Sequence, residues 1–243
     1  MSRNLFPANL GTLHENEEAL RGVALSLVAQ DDRLTISILA VESAMDVADK
    51  LRQFPTVDDD LKTIQILGMR IFNAFGSSLK LTLSGYNQNA TMILRDVLET
   101  VFLLDLFRGN PRIIAHWRLS DKAARLRGYG PVKVRMALDQ RDGHTEKKRA
   151  LAYDTFSELA GHPNASSHLM LRPTKDADAE IGPFIEETSL TAVLSEMGKL
   201  AVQAGEVLDE FFPEGWSDSL QERSNFARLK QAWLAKFYPV AGR

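Results

Sequence analysis

The segment from Asn87 to Phe107 constrains the fold of this chain most strongly, because it is apolar on two sides of a predicted helix. At 100° per residue, one face carries six apolar residues: Ala90, Ile93, Leu94, Val97, Leu98 and Val101. The opposite side carries four more: Met92, Phe102, Leu103 and Leu106. A helix that is apolar on both sides has to be covered on both sides. We therefore expect this helix to lie centrally among other helices.

Helical periodicity recurs along most of the chain and predicts an all-α protein. The expected helices are 15–30, 34–53, 56–83, 87–107, 111–127, 132–139, 145–160, 190–212 and 217–237. Asp31 either separates the first two helices or lies within one longer helix. Only Gly161 to Phe184 lacks the helical period, and its segments 168–172 and 179–184 could pair as strands. We expect a multi-helix antiparallel bundle with at most one small β-hairpin near 168–184. Residues 1–14 form a flexible N-terminus in this prediction, and 15–238 form a single helical domain.

Composition excludes several classes of protein. The chain has 243 residues and no cysteine, which removes disulfides, thiolate nucleophiles and zinc sites built on cysteine. The most apolar run, around Val101 to Phe107, is far shorter than the roughly 20 residues that span a bilayer. The first 13 residues lack the apolar stretch of a secretory signal. We expect a cytoplasmic protein of a bacterium, without a membrane segment.

One set of polar residues is a candidate site. Arg95 and Glu99 are four residues apart on the central helix, and Tyr153 and Ser157 are four apart on a later helix. The predicted cluster consists of these four residues with two histidines just beyond the later helix: Arg95, Glu99, Tyr153, Ser157, His162 and His168. As a structural network, the cluster would hold helices in register. As a pocket, it would use Arg95 to bind an anion and Glu99 or His162 as the acid–base group. The sequence leaves both interpretations open and assigns no catalytic residue.

These residues also carry a resemblance to a known group of proteins. Gly85-Tyr86, then Leu94-Arg95 with Glu99 one turn later, then Tyr153, Ser157 and His162 around a helix end resemble a group of uncharacterised bacterial helical proteins. That group is known mainly as a domain of unknown function. The resemblance covers Gly85 to His168, about a third of the chain. It implies an all-helical fold and no established activity.

A second motif resembles helical HEPN-type nucleases of bacterial toxin and defence systems. Those proteins use an Arg and a His, with four to six residues between them, to bind and cleave RNA. Here Arg112 and His116 enclose only three residues, although both still share one helix face. An RNA-directed nuclease is therefore the alternative function. Without that function, the two residues are an ordinary exposed Arg and His on a helix.

The charge distribution bears on partners. Between Arg112 and Arg149 there are eleven basic and four acidic residues in a chain whose net charge is −3. Such a segment suits an anionic small molecule, a nucleic acid, or a homo-oligomer in which basic and acidic faces meet. It equally suits an ordinary solvated helix face. The aromatic residues near the tail (Trp216, Trp233, Phe237 and Tyr238) add to the expectation of a homo-oligomer.

No metal or cofactor is expected, because His162, His168, Asp96 and Glu99 do not follow a known ligand spacing. Without a motif that identifies a reaction, we expect a non-enzymatic binding or interaction role, with a possible pocket for a small molecule.

Overall fold

The computed structural model describes residues 8–161, 167–173 and 176–239, and this part of the chain is helical with no β-strand. The α-helices are α1 Ala8–Gln30, α2 Asp32–Gln53, α3 Asp59–Leu83, α4 Asn87–Gly109, α5 Arg112–Leu119, α6 Lys122–Tyr129, α7 Pro131–Asp142, α8 Lys148–Phe156, α9 Glu187–Asp209 and α10 Leu220–Phe237. A π-helical turn, Ser157–Gly161, continues α8, and short 3-10 helices span Ser167–Leu171 and Ser217–Ser219. The predicted all-α multi-helix bundle is confirmed.

Aspartates at helix starts decide where several helices begin. Asp31 accepts a hydrogen bond from the backbone N–H of Arg33 (2.7 Å), so α1 and α2 are separate helices. Asp58 caps α3, so this helix begins at Asp59, three residues after the expected start at residue 56. Asp121 accepts from the N–H of Ala124 (2.7 Å) and starts α6, so the single helix expected over 111–127 is two helices.

Helix α1 begins at Ala8, earlier than the expected start at Glu15, so residues 8–14 are helical and not a tail. Residues 1–7 lie outside the described part of the chain. Where a hairpin was considered, residues 167–171 form a 3-10 helix instead. The two segments that were considered as strands are joined by a backbone hydrogen bond, from the N–H of Glu180 to the carbonyl of Leu171 (2.8 Å).

Helix α4 lies centrally, as its two apolar sides predicted. It packs against α3, α9, α7 and α8, and its residues Leu94, Leu104 and Phe107 are fully buried. The second apolar side is covered only in part, because Met92 is 48% exposed while Phe102 and Leu103 are half-buried. The half-covered stretch of α4 faces the site described below.

Helices α2, α9 and α10 form the other half of the core. Gly205 of α9 lies so close to α10 that an added Cβ would overlap the Phe226 ring. Trp233 stacks on Phe237 with ring centroids 4.5 Å apart, and Trp216 packs against Phe54. The aromatic residues of the tail therefore dock on their own chain.

Within the part of the chain that the structure describes, none of the helices has the length and apolar character needed to cross a membrane.

Candidate functional site

The structure brings three of the predicted cluster residues together. The Arg95 guanidinium donates from Nη2 to the Tyr153 hydroxyl at 2.5 Å. Its Nε lies 3.3 Å from Oε1 of Glu99, one turn away on α4. Arg95 and Glu99 keep 20% and 32% of their side-chain surface exposed, so they are half-buried rather than enclosed. The cluster therefore joins α4 to α8 next to solvent.

The other three predicted residues have different positions. Ser157 lies on the π-helical turn after Tyr153, and its buried Oγ has no hydrogen-bond partner among the described residues. His168 is exposed and lies on a 3-10 helix instead of the strand considered for it. His162 lies outside the described residues. The cluster that the structure shows therefore consists of Arg95, Glu99 and Tyr153.

The central residue that sequence reasoning missed is Arg135 of α7. It is buried, with a relative exposure of 7%, and its guanidinium carbon lies 3.9 Å from the centroid of the Tyr153 ring. The Arg95 guanidinium carbon lies 4.8 Å from the same centroid. Two guanidinium groups thus contact one aromatic ring, and Glu99 compensates only Arg95. Nη1 of Arg135 is buried and has no hydrogen-bond partner among the described residues.

Arg135 lines a cavity of about 370 Å³ between α3, α4, α5, α6 and α7. The remaining lining residues are Leu67, Arg70, Asp96, Glu99, Thr100, Phe102, Leu103, Trp117, Lys122, Arg125, Leu126, Tyr129, Gly130, Pro131 and Val134. We call it the α4–α7 cavity. Its volume lies within the roughly 300–1,000 Å³ that small-molecule sites occupy.

The charges that line the α4–α7 cavity do not balance. Arg70 binds Asp96 through two hydrogen bonds of 2.6 and 2.9 Å. Glu99 is paired with Arg95, which does not line the cavity. Lys122, Arg125 and Arg135 then have no carboxylate within 4 Å in the described ranges. A cavity with three uncompensated cations favours an anion.

The remaining walls are aromatic or apolar. Arg125 lies over the Trp117 ring, 5.8 Å from its centroid, and Phe102 and Leu103 of α4 complete this side. Tyr129 places its hydroxyl 2.6 Å from Nδ1 of His116, and burial raises the pKa of Tyr129. At neutral pH this phenol stays protonated. The cavity therefore offers flat, apolar walls that can contact the body of a bound anion.

The two residues of the nuclease hypothesis do not line this cavity. Arg112 and His116 are both exposed on α5, and neither lines the cavity. His116 reaches it only through its contact with Tyr129. The structure therefore places this pair outside the cationic cavity.

Much of the basic segment is neutralised within the chain. Arg118 binds Asp60 of α3 at 3.1 Å, and Arg141 joins Asp105 of α4 to Asp142. Arg149 also bonds to Asp142, and the Arg141 and Arg149 guanidinium groups hold the pKa of Asp142 well below its ordinary range. These ion pairs dock α5, α7 and α8 on the bundle. Among the described residues, seven basic side chains of the segment have no carboxylate within 4 Å. Three of them, Lys122, Arg125 and Arg135, line the α4–α7 cavity.

Nothing in the local sequence marked Arg135. It is one of eleven basic residues between Arg112 and Arg149. The alternating apolar residues around it do not show which side of α7 is buried. Among the described residues, no group of three or more His, Asp or Glu side chains is arranged to hold a metal ion.

Comparisons with protein-family models, with curated proteins and with solved structures each found no match to this chain.

Proposed function

We propose that this protein binds a small molecule that carries two or more negative charges on an apolar or aromatic body, and that it binds it in the α4–α7 cavity. The observation that carries the proposal is the buried guanidinium of Arg135, whose Nη1 has no partner in the described part of the chain. An isolated buried charge is costly, and a bound anion would remove that cost.

The composition of the cavity defines the ligand further. Arg135, Arg125 and Lys122 provide the positive charge, and a guanidinium can hold a carboxylate or phosphate through two parallel hydrogen bonds. Trp117 and Leu103 provide the apolar wall for the body of the ligand. A phosphate monoester or a dicarboxylate with an aromatic ring fits this combination.

A binding role is favoured over catalysis by the state of the polar groups. Glu99 is held by Arg95, and Tyr129 has a raised pKa and therefore keeps its proton. A phenol that keeps its proton is a poor general base near neutral pH. The site is suited to recognising an anion.

The test is calorimetric titration of the purified protein with phenyl phosphate, with benzyl alcohol as the uncharged comparison. We expect saturable binding of phenyl phosphate only, with an affinity that falls as salt is raised. Arg135→Met should weaken binding at least about 30-fold, because a buried charge-assisted contact contributes about 2 kcal/mol or more. Lys133→Met is the matched control, since Lys133 lies on the same helix, is exposed and does not line the cavity.

Equal binding by Arg135→Met and Lys133→Met would contradict the proposal. So would equal affinity for phenyl phosphate and benzyl alcohol, because the cavity would then recognise only apolar surface.

One observation keeps the RNA-directed nuclease as a second hypothesis. The hydrogen bond between His116 and Tyr129 places a histidine beside a cationic cavity, where a phosphodiester could be held. Incubating labelled RNA with the wild-type protein and with His116→Ala tests it. Cleavage by the wild type alone would support the nuclease, and intact RNA with both would exclude it.

Three further expectations from the sequence remain predictions. They are membership of the helical family of unknown function, a bacterial cytoplasmic location and a homo-oligomeric state. Docking of the aromatic tail on its own chain removes one of the two arguments for the oligomer.

A further inference from the structure

A second pocket, of about 310 Å³, lies at the N-terminus of α4 and is separate from the α4–α7 cavity. The first residue of α4, Asn87, is nine residues before Asp96, the first α4 residue that lines that cavity, or about 13.5 Å along the helix axis. The pocket is lined by the turn before α4 and by six later residues: Met170, Leu171, Glu180, Ile181, Gly182 and Phe184.

A close backbone contact shapes this pocket. Gly85 has φ of +88°, and an added Cβ would lie 2.7 Å from the backbone of Phe184. The N–H of Phe184 donates to the Gly85 carbonyl at 3.2 Å. Because only glycine allows both the left-handed conformation and the close approach, this position holds Phe184 against the start of α4.

Asn87 lines this pocket and has a side-chain amide without a hydrogen-bond partner among the described residues. It is buried, with a relative exposure of 3%, and both its amide nitrogen and its amide oxygen lack hydrogen-bond partners among the described residues. Buried amides almost always have partners, so a side chain with both functions free points to a ligand that supplies them.

The start of α4 adds further donors. The N-cap residue Tyr86 makes no side-chain capping bond, and the backbone N–H groups of residues 87–89 have no acceptor in the described ranges. These N–H groups disfavour a cation and favour a partially negative oxygen.

The charge of the pocket disfavours an anion. Two of its lining residues, Tyr86 and Glu180, are ionisable. The Tyr86 hydroxyl donates to Glu17 at 2.8 Å, and burial together with this bond raises the pKa of Tyr86 to about 12, so Tyr86 stays neutral. Glu180 then leaves the pocket with negative charge. A neutral ligand group with one acceptor and one donor satisfies all of these conditions.

We infer that this pocket is a second binding site, for a neutral carboxamide on an apolar body. The Asn87 amide would exchange two hydrogen bonds with the ligand amide, donating from Nδ2 to its oxygen and accepting at Oδ1 from its nitrogen. Met170, Leu171 and Phe184 would contact the apolar part of the ligand. This inference does not depend on the function proposed for the α4–α7 cavity.

The test compares three probes of similar shape by NMR titration of the full-length protein: benzamide, N,N-dimethylbenzamide and benzoate. Benzamide should bind saturably, with chemical-shift changes at the Asn87 side-chain amide. The dimethylated amide lacks the donor, and benzoate adds a charge opposed by Glu180, so each should bind about tenfold more weakly or worse.

Two variants locate the binding. Asn87→Leu should abolish binding of benzamide, whereas Asn73→Leu, the same change at an exposed position of α3, should leave it unchanged. Arg135→Met should also leave benzamide binding unchanged, which separates this inference from the proposal for the other cavity. If Asn87→Leu does not fold, the ranking of the three probes on the wild type decides. Equal affinities for the three probes, no saturable binding of benzamide, or undiminished binding by a folded Asn87→Leu would overturn the inference.

Discussion

The guanidinium of Arg135 contacts the ring of Tyr153 at 3.9 Å from its centroid and has no carboxylate within 4 Å among the described residues. A cation over an aromatic ring gains about 0.5–2 kcal/mol, which is less than the cost of burying an unpaired charge. The free protein therefore carries an energetic cost at this position that a bound anion would relieve.

Arg135→Met is expected to stabilise the ligand-free protein. Methionine fills a similar volume without the buried charge, and its weaker interaction with the Tyr153 ring offsets only part of that gain. We therefore expect the free energy of unfolding to rise by about 1 kcal/mol. Urea unfolding followed by circular dichroism measures this change, with Lys133→Met as the control. A decrease in the stability of Arg135→Met would show that Arg135 is a structural residue.

Tyr153 is expected to stabilise the fold through two separable contacts. Tyr153→Phe removes the hydroxyl that accepts the hydrogen bond from Arg95 and should lower the unfolding free energy by about 1 kcal/mol. Tyr153→Leu also removes the ring beneath the two guanidinium groups and should cost about 1–2 kcal/mol more. Tyr238→Phe, at an exposed ring, is the control. Equal unfolding midpoints for Tyr153→Phe and Tyr153→Leu would argue against the ring contacts.

Asp142 is expected to make stability depend on acidic pH. Its pKa is lowered in the folded protein by Arg141 and then Arg149, so its contribution is present above the unfolded pKa of about 4 and disappears as the pH falls through the lower folded pKa. Because these ion pairs are partly exposed, Asp142→Asn should lower stability at pH 7 by about 1 kcal/mol.

Chemical unfolding at a series of pH values measures this contribution. The difference between wild type and Asp142→Asn should be constant near neutral pH and should shrink below about pH 4. Asp154→Asn, at an exposed position of α8, is the control and should follow the wild type. A difference that persists undiminished at low pH would exclude the ion pairs as its origin.

Gly205 is expected to be essential for the contact between α9 and α10. A Cβ at this position would overlap the Phe226 ring, so Gly205→Ala should destabilise the protein by about 2 kcal/mol or more. Gly22 of α1 has no atom within 4 Å of an added Cβ, so Gly22→Ala should instead stabilise by up to about 1 kcal/mol. Thermal unfolding of both variants provides the measurement. A neutral Gly205→Ala would mean that the two helices can separate without cost.

Features that depend on neighbours along the chain could be predicted from the sequence. The 3.6-residue period predicted the helical fold and the central place of α4, because it records which face of each helix meets the core. The pairing of Arg95 with Glu99 was predictable for the same reason, since residues four apart share a helix face. The contact of Arg95 with Tyr153 agrees with the hypothesis that polar residues of these two helices meet.

Tertiary structure alone decided which polar groups are buried without partners. Arg135 is buried because α7 turns Val134, Arg135 and Leu138 inward and leaves Val132 and Met136 exposed, an orientation that its sequence does not encode. The α4–α7 cavity exists because five helices meet around it. Asn87 shares a pocket with Phe184, a residue about 100 positions later in the chain. Periodicity reports the local face of a helix, whereas burial of a given polar group depends on how the helices pack, and packing is set by contacts between residues far apart in the chain.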